Sequence, residues 1–180
     1  MDNENIGLIL GKITRKELDL IEKSNVNINK FGLTITREEA KEIIISKNET
    51  LKKYKRIEFS SGVTEKIIYI FSDSAYIDRN NYIDTIKDLV DIFYNFKNET
   101  EDKLTDDELL NFMREQFDDV CYGDLGYLRD TCLERFSKAV RDESLDYIYT
   151  QGKNIYENLS EEQRWDKDLY QSIMKELFWE

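Results

Sequence analysis

The side chains in this sequence that could do chemistry are carboxylates, cysteines and tyrosines, because it contains no histidine. Without an imidazole there is no Ser-His-Asp or Cys-His arrangement, no HExxH zinc site, and none of the Glu-x-x-His pairs that hold two metal ions inside a helical bundle. The densest carboxylate run is Asp106-Asp107-Glu108, followed further on by Asp118-Asp119. The first run falls where the dipole and free amides of a helix start favour anions, so its ordinary work is capping. The second opens a loop that fails as a calcium site: counted from Asp118, Gly123 takes the sixth position, but Val120 and Tyr122 stand where oxygen ligands are required. No metal and no cofactor is therefore expected, and no residue is assigned a catalytic role. Cys121 and Cys132 are not spaced as Cys-x-x-Cys, and two thiols cannot complete a four-ligand zinc site. Cys132 reads as part of an inward helix face, and Cys121, in a loop containing Gly123, as the accessible one. Gly123 and Gly126 are too few to cradle a phosphate.

Two polar edges remain as candidates for a small-ligand site. Arg56 and Glu58 stand just before the apolar run Ile67–Phe71, and Lys97 and Glu99 stand at the end of the most regular helical pattern. Their everyday role would be turn and cap hydrogen bonds.

The elements that would position these residues are helical. Thr14-Arg15-Lys16-Glu17, Thr36-Arg37-Glu38-Glu39, Thr105-Asp106-Asp107-Glu108 and Ser160-Glu161-Glu162-Gln163 are capping boxes, each pairing a hydroxyl with an acid or amide three residues on. They predict helices from about Thr14 to Lys23, Thr36 to Tyr54, after Thr105, and after Ser160, with Asn25 to Lys30 as a polar linker. Tyr82, Ile86, Leu89, Phe93 and Phe96 recur at steps of four and three, which predicts a helix from about Arg79 to Lys97 with Asp84, Lys87, Asp88, Asp91 and Asn95 on its wet side. Ile67–Phe71 suits either a helix or a buried strand, and helix is favoured because no second strand is present to pair with it. Asp124 caps a helix to about Arg141, and a further helical pattern runs from Leu145 to Leu159 across Gly152. The fold class expected is all-α: one domain, residues 1–180, built as a bundle of about six or seven helices, with 1–13 as a loosely attached arm.

Composition bounds the function. Hydrophobic residues make up 40% of the 180, too many for a disordered chain. No run reaches the ~20 apolar residues that cross a bilayer, and no segment reads as a secretory leader. Two cysteines make no disulfide framework, so the expectation is a cytoplasmic protein with reduced thiols. The net charge of −12 is uneven: residues 1–66 hold 13 Lys and Arg against 11 Asp and Glu, net +2, whereas 67–180 hold 13 against 27, net −14. Such a surface repels nucleic acid and anionic lipid, so a charge-steered partner should be basic. Lys52, Lys53, Lys55 and Arg56 are placed to complement the negative end of a helix rather than to bind phosphate.

Gly32-Leu33-Thr34-Ile35-Thr36, Arg56-Ile57-Glu58, Asp73-Ser74-Ala75-Tyr76-Ile77, the run Phe93 to Thr100 and Asp106-Asp107-Glu108-Leu109 together resemble an uncharacterised bacterial family, a domain of unknown function. The resemblance spans the middle of the chain to about Leu128 and implies no activity and no catalytic residue. The leading expectation is a non-enzymatic interaction protein whose acidic surface engages a protein partner or a second copy of itself, the latter through Leu177-Phe178-Trp179. The alternatives are a small-ligand binder or enzyme using a pocket of carboxylates and tyrosines and, third, a nucleic-acid binder.

Overall fold

The computed structural model describes residues 15–58 and 62–142, and among these residues every regular element is helical. In chain order they are α1 (15–23), α2 (Asn25–Ile28), α3 (Arg37–Lys53), α4 (Val63–Phe71), α5 (Tyr82–Glu99), α6 (Asp106–Glu115), α7 (Leu125–Tyr127) and α8 (Glu134–Arg141). The all-α expectation holds. The readings made for residues 1–14 and for the helices after Arg141, including the Ser160 capping box and Leu177-Phe178-Trp179, lie outside the described residues.

α5 is the axis of the bundle, and α3, α4, α6, α7 and α8 all pack against it. Its sequence explains this position: Tyr82, Ile86, Leu89, Val90, Ile92, Phe93 and Phe96 are all buried, so the apolar stripe is wide enough to face neighbours on several sides. Each such side chain contributes about 1.5–3 kcal/mol by leaving water. The helix starts at Tyr82 rather than near Arg79, because Asp78 and Asn81 spend the preceding residues on a turn. The Asp78 carboxylate accepts from the amides of Asn80 (2.7 Å) and Asn81 (3.2 Å), and the Asn81 side chain accepts from the Asp78 amide. Asx turns of this kind hold the backbone out of the helix.

Two capping boxes form as the sequence predicts. Thr36 accepts from the Glu39 amide while the Glu39 carboxylate accepts from the Thr36 amide, and Thr105 and Glu108 do the same at α6. Leu104 and Leu109 are both buried beside the second box, as the sequence pattern expects of a staple. Ile67–Phe71 is helical, within α4, with Ile67, Ile68 and Phe71 completely buried and the Tyr82 hydroxyl donating to the Ile68 carbonyl at 3.0 Å.

The linker expected over Asn25–Lys30 is instead α2 followed by a 3-10 turn, Asn29–Phe31. Asn25 makes the difference: its side chain donates to the Ile35 carbonyl and accepts from the Ile35 amide, both at 2.8 Å. That pair of bonds mimics a strand pairing, and Ile28, completely buried, anchors the segment to the core.

α4 and α6 are joined by Arg114. Its guanidinium donates to Asp118 (2.5 and 3.0 Å), to Asp73 (2.7 Å) and to the Ile70 carbonyl, and it lies 5.8 Å from the centre of the Phe71 ring. Asp118 is reachable because the end of α6 widens into a π turn, Gln116–Val120, where the sequence suggests a loop from Asp118 onward. A second π turn, Leu128–Leu133, lies between α7 and α8, and the two π turns touch. Asp124 caps α7 as expected, accepting from the Tyr127 amide at 2.9 Å.

Between the π turns the chain reverses through Tyr122 (φ 50°) and Gly123 (φ 85°). A Cβ on Gly123 would lie 2.6 Å from the Tyr76 Cβ, whereas one on Gly32 (φ 75°) would meet nothing within 4 Å. Gly123→Ala is therefore expected to cost about 2–4 kcal/mol, backbone strain plus overpacking, and Gly32→Ala about 1–2 kcal/mol from strain alone. Urea unfolding followed by circular dichroism checks the ranking, and equal losses at the two positions would show that Tyr76 yields freely.

Candidate functional site

Three of the four polar residues singled out by sequence meet at one end of the bundle. There the C-terminal turn of α5, the segment after α3 and the start of α6 converge. Arg56 reaches across to donate to Asn98 (2.6 Å) and, with both terminal nitrogens, to Asp102 (2.6 and 3.2 Å). This fork holds the Asp102 carboxyl below its ordinary range. Lys97 is buried, donates to the Leu104 carbonyl at 2.6 Å and pairs with Asp106 at 3.1 Å and Asp102 at 3.6 Å. Its ammonium thereby ties the end of α5 to the first residue of α6.

Glu58 lies on the other side of this cluster, 3.2 Å from Lys47, which is itself 2.6 Å from Glu17 of α1. Lys47 is nearly enclosed, at 8% side-chain exposure. Burial works against its charge, but Glu17 and Glu58 outweigh burial and hold the ammonium above its ordinary range. In the sequence Lys47 is a gap in the apolar stripe of α3; in the structure it is the point where α1, α3 and the Arg56–Glu58 segment are pinned together.

Glu99 is not part of this group. It turns to the opposite side of α5, where its carboxylate and its carbonyl accept from Arg141 at 2.6 and 2.8 Å and fasten α8 to the bundle.

Sequence reasoning missed Tyr94. It breaks the four-and-three spacing of the α5 stripe, yet it is only 4% exposed, and its hydroxyl interacts with the Glu58 carboxylate without reaching ordinary hydrogen-bond geometry. Burial first, and then the negative charge of Glu58, push its ionisation far above the ordinary phenol range. The Glu58 Oε1 is likewise buried without a hydrogen bond of good geometry. The phenol and the carboxylate thus form a donor and acceptor pair whose geometry leaves each only partly satisfied, and a small polar group could complete it.

A second feature lies along the side of the bundle. Glu42, Ile45, Ser46 and Glu49 line one face of α3 at steps of three and four, Asp84, Lys87 and Asp88 line the facing edge of α5, and between them runs an open groove of about 620 Å³. Ile45 stands 57% exposed in it. Lys87 is occupied by Asp84 at 2.8 Å and Glu42 at 3.6 Å, and among the described residues Glu49 and Asp88 have no cationic partner. The sequence places Asp84, Lys87 and Asp88 on the wet side of α5; that α3 brings its own carboxylates against them depends on how the two helices cross.

The described residues hold no group of three or more cysteines, aspartates or glutamates arranged for a metal ion, and no helix among them is long and apolar enough to cross a membrane. The features together define an all-helical domain with an ion-paired polar cluster at one end and an acidic groove on one side. The model of a family of unknown function, DUF6323, matches residues 20–146, and the chain belongs to that family. Comparison with curated proteins finds no match, and comparison with solved structures finds none either.

Proposed function

We propose that this chain is a cytoplasmic, non-enzymatic interaction domain whose α3–α5 groove receives a basic segment of a partner protein. The groove itself is the observation that supports it: four carboxylates and one lysine surround an exposed isoleucine, so the surface offers a negative field with an apolar anchor point at its centre. A segment carrying lysines or arginines around one large apolar residue matches both, and the field would steer its approach. The same charges repel phosphate, which sets nucleic acid and anionic membranes aside as occupants. The free thiols at Cys121 and Cys132 suit a reducing compartment.

The test is fluorescence anisotropy of labelled peptides, each with four lysines flanking a leucine or with four glutamates in their place, titrated with the full chain. Binding of the basic peptide should weaken at least tenfold in the Glu49→Lys/Asp88→Lys double variant and fall steeply with added salt. Equal binding of both peptides, or indifference to the double reversal, would sink the proposal. Concentration-dependent sedimentation lost in the double variant would name a second copy of the chain as the occupant instead.

The poorly aligned pair of the Tyr94 hydroxyl and Glu58 favours a second reading, a small-ligand binder at the end of α5 that also draws on Arg56 and Lys97. In that case Tyr94→Phe should keep its melting temperature but lose the stabilisation that a panel of small amines and polyols confers on the parent. A panel with no effect on the parent removes this reading.

A further inference from the structure

The two cysteines, eleven positions apart in sequence, are brought face to face. Their sulfurs lie 3.5 Å apart, in hydrogen-bond contact, and both residues are buried, Cys121 at 5% and Cys132 at 7% exposure. The loop position that suggests an accessible Cys121 is misleading, because the π turn ahead of it folds the residue back: its amide donates to the Gln116 carbonyl at 2.8 Å and its carbonyl accepts from the Asp124 amide at 2.9 Å. Cys132 belongs to the second π turn. The two turns thus meet through their thiols, on elements of a type that recurs at functional sites.

We propose that Cys121 and Cys132 are a redox modification site, joined reversibly as an intramolecular disulfide when the protein meets a hydroperoxide. This is independent of the groove reading. The sulfurs, 3.5 Å apart, already stand close to the ~2.05 Å of a disulfide. The depth of the pair selects the oxidant, since a hydroperoxide is small enough to reach sulfurs of such low exposure and a bulky disulfide is not. The charges around the pair, Asp124 beside Cys121 and Arg135 beside Cys132, favour Cys132 as the first to react. The shared contact, in which either sulfur can donate, together with burial and the negative charge of Asp124 pushes the Cys121 thiol up, whereas that contact and the positive charge of Arg135 draw Cys132 down.

The Cys132 thiolate attacks the nearer peroxide oxygen, the O–O bond breaks, and the departing oxygen takes a proton, leaving as water or as the alcohol of the hydroperoxide. Cys132 is then a sulfenic acid. The Cys121 sulfur attacks it, the S–O bond breaks, and the hydroxide leaves as water with the Cys121 proton. Two thiols have given up two electrons, and one peroxide has accepted them. A dithiol reductant reverses the change and ends as its own disulfide.

The experiment treats the full chain with a few equivalents of hydrogen peroxide, quenches, unfolds it, adds maleimide and weighs the intact protein. The expected product is monomeric, two hydrogens lighter, and takes up no maleimide; after dithiothreitol it takes up two. With dimedone present during oxidation, Cys121→Ser should carry one adduct, on Cys132, and Cys132→Ser none; Cys→Ala versions repeat the measurement if serine unfolds the core. Two maleimides after peroxide, linkage only between chains, or direct conversion to sulfinic acid would each overturn the proposal. An adduct on Cys121 in Cys132→Ser would overturn the assignment of steps.

Discussion

Phe71→Ala is expected to cost about 3–5 kcal/mol of folding free energy, a large share of what a domain of this size possesses. Phe71 is completely buried at the end of α4, with the Phe117 ring set edge-on against it at 5.5 Å and the Arg114 guanidinium near its face. Removing the ring leaves Phe117 with Tyr76, at 6.4 Å, as its remaining ring neighbour and opens a cavity where α4 meets the end of α6. Chemical denaturation of the parent and variant measures the loss. A cost below ~1 kcal/mol would mean that the surrounding side chains collapse into the space, contrary to a close-packed core.

The second large effect is expected at Arg114. Arg114→Ala should cost about 2–4 kcal/mol, because Asp118 and Asp73 lose their cation and the Ile70 carbonyl loses its donor in a place only partly open to water. Arg114→Lys should recover little of this, since one ammonium cannot face three acceptors on three sides as the guanidinium fork does. The sign of the pH dependence follows from Asp73, which Arg114 holds below the usual carboxylate range. A lowered carboxyl stabilises the fold above its unfolded value near pH 4 and loses that contribution as pH falls through the folded value. The parent should therefore lose stability on acidification below about pH 4 more steeply than Arg114→Ala. Parallel acid titrations of the two proteins would show the reverse. Because Arg114 lies over Phe71, the two substitutions should not add, and a double-mutant cycle should return a coupling of about 0.5–3 kcal/mol.

What could be read from sequence is what depends on near neighbours. The boxes at Thr36 and Thr105 are three-residue chemistry, and they form as written. The stripe of α5 is local periodicity, and it identifies the axis of the bundle. Asn25 was not legible, because its partner is the backbone of Ile35, ten residues away, and no pattern of residue types announces a side chain that will imitate a strand. The candidates Arg56, Glu58 and Lys97 were chosen for standing at edges, and their convergence rests on contacts such as Arg56 to Asp102, separated by 46 positions. Glu99, chosen on the same ground, faces the other way by two residues of helix rotation. Lys47 reads only as a gap in the stripe of α3 and Tyr94 falls outside the spacing of α5; sequence reading treats both as flaws, and folding has used them as buried contacts.

The paired π turns have a consequence for how this chain can change length. A π turn is an α-helix that has absorbed one additional residue, and the helix beyond it keeps a workable face. Deleting one residue within Gln116–Val120 would return the turn to α geometry, and Phe117, Asp118 and Cys121 could then no longer all keep their present contacts with Phe71, Arg114 and Cys132. Length and facing are therefore locked together at this joint.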